Sequence, residues 1–183
     1  MNPEPIDYWY IEAVSELLRE NSDANLDEKI ALVPANSAGK VVYFATILHA
    51  HKLKVVALLD SDAAGETAAL QDVLVHKLGN KNILRTKDVY QGDVQKTEIE
   101  DLLRDTLVKI ASSELKWDVS KPATEQQNRP IIEIFTNEIE DFSKYKLAKA
   151  FLRWTREHQA SDLTSQEREQ WQKLIKKINK VLK

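Results

Sequence analysis

A chain of 183 residues is long enough for one domain with a small helical addition and too short for two large domains. Its hydrophobic fraction of 43%, beside 30% charged residues, is typical of a globular protein and excludes a disordered chain. The formal net charge of -3 excludes a global positive field that would draw the chain onto nucleic acid.

Any contact with DNA therefore needs a local basic patch, and the C-terminal lysines are the candidate. A solvated helix face accounts for the same run equally well. The lysines concerned are Lys173, Lys176, Lys177, Lys180 and Lys183.

The chain has no cysteine, which excludes thiolate metal sites and leaves oxygen and imidazole ligands. Because no apolar run reaches about 18 residues, we expect no membrane contact and a cytoplasmic location.

The first predicted element is an amphipathic helix over residues 7–21, where apolar side chains recur at helical spacing. Short apolar runs at 30–33 and 54–59 predict buried strands, with a helix over 41–51 between them. A further helix over 67–78 and a third strand over 82–85 follow. This order predicts a parallel sheet, whose ligands lie at the carboxyl ends of the strands.

The pattern changes after Gly92. Residues 98–112 have helical periodicity, and the polar segment 116–130 is the predicted linker. Helices over 131–154 and 163–182 would then form a hairpin, and the second would begin with the capping box Thr164-x-x-Glu167. The expected organisation is an α/β domain over 1–115, the linker, and a helical region over 131–183.

Two carboxylates, Asp60 and Asp62, follow the apolar run 54–59 directly, and Gly65 comes three residues later. Carboxylates this close repel one another unless a cation lies between them, and Mg²⁺ and Mn²⁺ favour oxygen ligands. The pattern favours a metal site at the end of the strand. The alternative is that both residues only form a turn and cap the next helix.

The segment from Leu58 to Gly65, Leu-Leu-Asp-Ser-Asp-Ala-Ala-Gly, resembles the metal-binding motif of the Toprim domains of OLD-family nucleases. Residues 33–40, Val-Pro-Ala-Asn-Ser-Ala-Gly-Lys, are similar to the small-residue turn that precedes it in that group. The resemblance covers about residues 7–110. It implies an α/β fold, with a Toprim-like parallel sheet flanked by helices and a C-terminal helical appendage. It also implies a DNA endonuclease or nickase that uses two Mg²⁺ or Mn²⁺ ions.

A second acidic cluster lies at Glu98, Glu100 and Asp101. The resemblance implies that this element helps to hold the metals through Glu100, with Glu98 joining it only if the helix begins late. The alternative is a capping box formed by Thr97 and Glu100.

The resemblance also implies a lysine from the segment 143–150 that reaches the active site and stabilises charge on phosphate. We expect this catalytic lysine to be Lys146, with Lys144 as the next choice. The alternative is that all lysines in this segment are surface residues.

Toprim domains begin with a strand that ends in Glu-Gly and supplies the catalytic glutamate, and an acidic residue follows a few positions later. Asp7 matches the later residue, whereas the strand is missing and Glu4, followed by Pro5, is the only surrogate. Asp7 and Glu4 therefore complete the set of expected metal ligands.

OLD-family proteins also carry an ATPase half upstream, so we expect a fragment whose partners are DNA, an ATPase domain or subunit, and a second copy in a homodimer. Gly39-Lys40 does not supply a nucleotide site, because a P-loop needs Gly where Pro34 stands and Ser or Thr where Val41 stands.

A non-catalytic binding or assembly module is the main alternative function. The missing first strand favours it, and Trp154 and Trp171 would then be apolar anchors for a partner, although packing in the core is their commoner role.

A flavodoxin-like receiver domain is a third alternative and fits less well, because receivers place acidic residues after their first strand and none stands there.

Overall fold

The computed structural model describes residues 6–20 and 24–183. Two short strands and nine helices make up the described part, and short 3₁₀ or π turns connect several of them. In chain order the elements are α1 (Ile6–Glu20), α2 (Ala38–Ala50), β1 (Ala57–Leu59), α3 (Ala63–Ala69), α4 (Asp72–Leu78), β2 (Ile83–Arg85), α5 (Arg104–Ile110), α6 (Ser120–Glu125), α7 (Ile131–Glu138), α8 (Lys144–Trp154) and α9 (Ser165–Leu182).

The sheet is parallel, as the sequence predicts, and consists of β1 and β2 paired with Ala57 opposite Ile83. The protein is therefore a mostly helical α/β structure with a small sheet. The predicted strand over 30–33 is wrong, because this segment has no regular secondary structure and pairs with neither strand of the sheet. Apolar residues alone do not make a strand, which also needs a neighbour that pairs with its main chain.

Side chains of β1 alternate between two layers of helices. Ala57 and Leu59 pack with α2, α3 and α4 in one apolar cluster, whereas Leu58 packs against the larger core formed by α1 and the C-terminal helices. This period of two is the pattern of a strand buried on both faces. Within the described residues, no helix is both long and apolar enough to cross a membrane.

Several helix boundaries differ from the prediction. The helix expected over 67–78 is two helices, α3 and α4, which are separated at Leu70 and Gln71. The helix expected over 98–112 is a 3₁₀ turn (Ile99–Leu103), α5 and a π turn (Ala111–Leu115). The late start of this element decides which acidic side chains meet at the candidate site.

The C-terminal region is not a separate hairpin. Helix α8 packs against α1 and α5, and α9 packs against α1 and the 99–103 turn, so one core joins these helices to the N-terminal region. The segment predicted as a linker contains α6, and its Val119 and Ala123 are buried in that core. The predicted capping box between Thr164 and Glu167 is confirmed at the start of α9.

Candidate metal centre

The acidic turn after β1 is fixed by hydroxyl groups that the sequence analysis did not identify. The Ser61 main-chain N–H donates to the Thr97 carbonyl oxygen at 2.8 Å and to Thr86 Oγ1 at 3.1 Å. Thr86 Oγ1 in turn donates to the Thr97 carbonyl oxygen at 2.6 Å. All three residues are buried, so this network ties the ends of both strands to the segment that enters the second acidic cluster.

Asp62 caps helix α3, because its Oδ1 accepts a hydrogen bond from the Gly65 N–H at 2.7 Å. The capping alternative therefore describes Asp62, although its side chain also lines the cavity beside Asp60. Gly65 is required here, since a Cβ at that position would lie 1.9 Å from the Asp60 carbonyl oxygen. The close approach of the two main-chain segments explains the glycine of the motif.

Asp60 turns toward the second acidic cluster instead of capping α3. Its Oδ1 accepts a hydrogen bond from the Ile99 N–H at 3.0 Å, which fixes one carboxylate oxygen. Burial raises the pKa of Asp60 well above its usual range, and the neighbouring carboxylates of Asp7 and Glu100 raise it further. A carboxylate in this position is stabilised by any cation that approaches it.

The 3₁₀ turn of the second cluster begins at Ile99, with Glu98 as its N-cap. Its capping box joins Glu98 to Asp101, whose Oδ2 accepts from the Glu98 N–H at 2.9 Å. The capping box proposed for Thr97 and Glu100 is therefore wrong. Because the helix begins late, Glu98 and Glu100 face the same cation.

That cation is Lys144, the first residue of α8. Its Nζ lies 3.1 Å from Glu98 Oε2 and 3.1 Å from Glu100 Oε1. Desolvation would lower the pKa of Lys144, but the charges of Glu100, Glu98, Asp7 and Asp60 outweigh it and raise that pKa above its ordinary value. The ammonium group is therefore held in its charged form among these carboxylates.

Lys146, the lysine that we expected first, does not reach this cluster. Its side chain is exposed, and its main-chain N–H donates to Ser143 Oγ at 3.3 Å. Two positions along a helix correspond to about 200° of rotation, so Lys144 and Lys146 point to nearly opposite sides. The geometry favours Lys144, the second choice, over Lys146.

Glu100 is the most buried carboxylate of the cluster. Neither of its carboxylate oxygens has a hydrogen-bond partner within the described residues, because the contact with Lys144 is close but not oriented as a hydrogen bond. The Tyr10 hydroxyl is also buried without a partner, and burial together with Glu100 and Asp7 raises its pKa. Tyr10 lies three residues after Asp7 on α1, and the sequence analysis missed it.

Asp7 reaches the cluster from the first turn of α1. Burial raises the pKa of its carboxyl, Lys144 opposes that change, and Glu98 adds to it. Asp7, Asp60, Glu98 and Glu100 are thus four acidic side chains around one lysine, delivered by three separate segments. Glu4, the surrogate for the first-strand glutamate, lies outside the described residues.

The chemistry of these donors fits a hard divalent cation, because buried carboxylate oxygens without partners are what Mg²⁺ and Mn²⁺ bind. Across residues 6–20 and 24–183, however, no three acidic or histidine side chains converge closely enough to form a metal-binding group. The acidic side chains instead surround the Lys144 ammonium. A divalent ion in this place would therefore compete with Lys144.

The raised carboxyl pKa values predict that the metal-free chain loses stability as the pH rises. Burial raises the pKa of Glu100 from its ordinary value of 4.5 to about 8. The folded chain thus binds this proton more tightly than the unfolded chain, so folding is favoured most below pH 4.5 and less through pH 8. We expect the free energy of unfolding to fall by several kcal/mol across that range.

Urea unfolding at acidic, neutral and mildly alkaline pH measures this slope. Glu100→Gln is expected to flatten it, whereas Glu140→Gln, which alters an exposed glutamate, should leave it unchanged. Equal slopes for the original chain and Glu100→Gln would contradict the assignment of Glu100.

Comparison of the chain with models of protein families, with curated proteins and with solved structures gives no match. The geometry of the acidic cluster therefore carries the functional argument.

Proposed function

We propose that this protein is a metal-dependent phosphodiester hydrolase that acts on DNA. The observation that supports the proposal most is the gathering of Asp7, Asp60, Glu98 and Glu100 around Lys144, beside the carboxyl ends of a parallel sheet. This edge of a parallel sheet is where α/β proteins bind their ligands. Four carboxylates near one another, of which Glu100 is fully buried, are costly for folding, which indicates a role other than stability.

In the proposed reaction, Asp60, Glu98 and Glu100 would bind Mg²⁺ or Mn²⁺, and Asp7 would assist from α1. When bound, such ions activate water and neutralise charge on the phosphate. The hydrogen bond from the Ile99 N–H holds Asp60 in a fixed orientation, and the Ser61 network holds the turn. Asp62 has a smaller role in this proposal, because one of its oxygens already caps α3.

Lys144 would change partners in this reaction. With Glu98 and Glu100 holding a divalent ion, the ammonium group would be free to donate hydrogen bonds to a phosphate oxygen of the substrate. A cation beside the reacting phosphate stabilises the charge that develops in the transition state. The same lysine thus neutralises the cluster before metal binding and would contact the substrate afterwards.

The C-terminal lysines supply a surface for the DNA backbone. Lys173, Lys176, Lys177 and Lys180 line a shallow groove of about 370 Å³ along α9. Such a patch would bind phosphates without reading the base sequence, so binding should weaken steeply as the salt concentration rises. An ATPase partner and a homodimer belong to this proposal only through the Toprim resemblance.

Titration with Mn²⁺ tests the proposed metal site. Paramagnetic broadening of amide signals is expected first at residues 60–62 and 98–101, with weak affinity because Lys144 competes for the same carboxylates. Asp60→Asn keeps an oxygen that accepts from the Ile99 N–H but removes the charge, so it should abolish the broadening without unfolding the chain. Asp93→Asn, at an exposed aspartate, is the matched control. Broadening centred elsewhere would contradict the site.

The second candidate function is a non-catalytic binding module, in which Lys144 neutralises the acidic cluster permanently. The lack of a closed metal-binding group within the described residues favours it. Trp171 does not serve as its anchor, because this side chain is fully buried and donates to the Leu102 carbonyl oxygen. If millimolar Mn²⁺ leaves the signals of the cluster unchanged, this second function is the better one.

A further inference from the structure

A cavity of about 1170 Å³ lies between two segments, residues 30–36 and residues 55–60, which include β1. It exceeds the range of about 300–1,000 Å³ that is usual for small-molecule sites. Protein interiors are close-packed and leave few voids larger than a water molecule. A space of this size beside a sheet therefore indicates a large occupant.

Both walls of this cavity have main-chain groups without partners. Residues 31–36 make no main-chain hydrogen bond to any other described residue. Within residues 6–20 and 24–183, strand β1 pairs with β2 along one edge only, so alternate N–H and C=O groups along its other edge have no described strand beside them. An added strand would satisfy both rows. A helix would not, because its main-chain groups bond to one another.

The lining of the cavity is apolar on both faces of the sheet. Ile11 of α1 and Ile178 of α9 lie on one side, and Phe44 and Leu48 of α2 belong to the other layer. A strand that enters here would be buried on both faces. Such strands have continuous apolar sequences instead of alternating ones.

The direction of the occupant follows from the connections. The chain passes from residues 30–36 through α2 into β1, so the two walls run the same way, and β2 is parallel to β1. The walls begin near Lys29 and Lys54 and end near Asp60 and Asp62. A parallel strand with an acidic residue before it and a basic residue after it matches these charges.

We propose that this cavity is a strand-binding slot, in which an apolar strand of a partner polypeptide adds parallel to β1 and pairs with both walls. Its binding converts residues 30–33 into a strand and produces a four-stranded parallel sheet. This accounts for the strong strand signal of residues 30–33, which the described residues alone leave unpaired. The proposal concerns recognition of a peptide main chain, and the slot ends at Asp60 and Asp62 of the acidic cluster, so the peptide and Mn²⁺ are tested separately.

A synthetic peptide tests the slot on the full chain. The probe is acetyl-Glu-Val-Ile-Val-Leu-Val-Lys-amide, and the readout is amide hydrogen exchange followed by NMR. We expect saturable binding and at least about tenfold slower exchange at residues 31–33 and 56–58, because main-chain hydrogen bonds protect amides from exchange. The same peptide with N-methyl groups at alternate residues cannot complete the ladder and should not bind.

Matched variants separate the slot from non-specific adhesion. Leu32→Asp places a charge on the slot wall and should abolish binding of the peptide. Leu70→Asp changes a leucine that is 72% exposed and outside the slot, so it should bind normally. Equal binding by both variants, or binding of the N-methylated peptide, would overturn the proposal.

Two further outcomes would also overturn it. No saturable binding by the unmethylated peptide, with folding intact, would show that the slot does not accept a strand. Protection of residues 31–33 and 56–58 in a dimer of the chain without peptide would assign the slot to a second copy. The Mn²⁺ titration of the acidic cluster is carried out without peptide, so neither outcome decides the metal site.

Discussion

Lys144→Met is expected to destabilise the metal-free chain by about 3 kcal/mol, the low end of the range for breaking a buried ion pair. The low end applies because the Lys144 side chain is 32% exposed, whereas that of Glu100 is fully buried. The substitution removes the cation that faces Asp7, Asp60, Glu98 and Glu100, so the carboxylates among them that are ionised lose their compensating charge. For a chain of this length, the melting temperature should fall by about 6–12 °C.

Lys146→Met is the control, because it removes an exposed lysine two residues later on the same helix. It should change the melting temperature by less than about 2 °C. Thermal unfolding followed by circular dichroism measures both variants.

Divalent metal adds a second readout. Millimolar Mn²⁺ should restore much of the stability of Lys144→Met, since the ion binds carboxylates that no longer have a competing cation. The original chain should gain less from the same ion. A loss of stability that Mn²⁺ does not repair would favour the non-catalytic function, in which the lysine has only a structural role.

Local sequence patterns predicted the elements that depend only on residues adjacent in the chain. The end of β1 at Leu59, strand β2 and the capping box of α9 all follow from a few adjacent residues. The segment 30–33 shows the limit, because its apolar run predicts a strand but no described residue pairs with it. Strand formation depends on a neighbour that local sequence does not specify.

Helical spacing distinguishes Lys144 from Lys146. Lys144 shares a helix face with Ala148 and Phe151, both buried, whereas Lys146 shares one with Lys149. The spacing thus identifies the inward lysine once the buried face of α8 is known. Its acidic partners could not be predicted in the same way, because Glu98 joins Glu100 only when the turn begins at Ile99.

The hydroxyl network of Ser61, Thr86 and Thr97 has no sequence signal at all. These residues are distant along the chain, and serine and threonine are common in turns of every kind. Only the parallel pairing of β1 with β2 brings the strand ends together, and the segment near Thr97 then closes over them. Contacts of this kind depend on tertiary structure and not on local propensity.

The described chain on its own is expected to nick supercoiled DNA very slowly in Mg²⁺, with at most faint activity in Mn²⁺. Two-metal hydrolysis needs both ions to be held firmly, since each neutralises charge on a different oxygen of the displacement. The described residues place their acidic side chains around Lys144 and form no closed group of three metal ligands. Under the proposed function, the second ion therefore needs a further carboxylate ligand.

Adding an upstream strand that ends in Glu-Gly should therefore raise the nicking rate by orders of magnitude, because an extra carboxylate ligand would allow the second ion to be held. The assay converts supercoiled plasmid to the open-circular form, and Asp60→Ala in both backgrounds controls for contaminating nuclease. The same extension ending in Gln-Gly separates the effect of the carboxylate from that of the added strand.

Rapid, Asp60-dependent nicking by the unextended chain would mean that residues already present complete the metal site. Equal rates for the Glu-Gly and Gln-Gly extensions would contradict the two-metal proposal, because an added strand without a new ligand cannot hold a second ion.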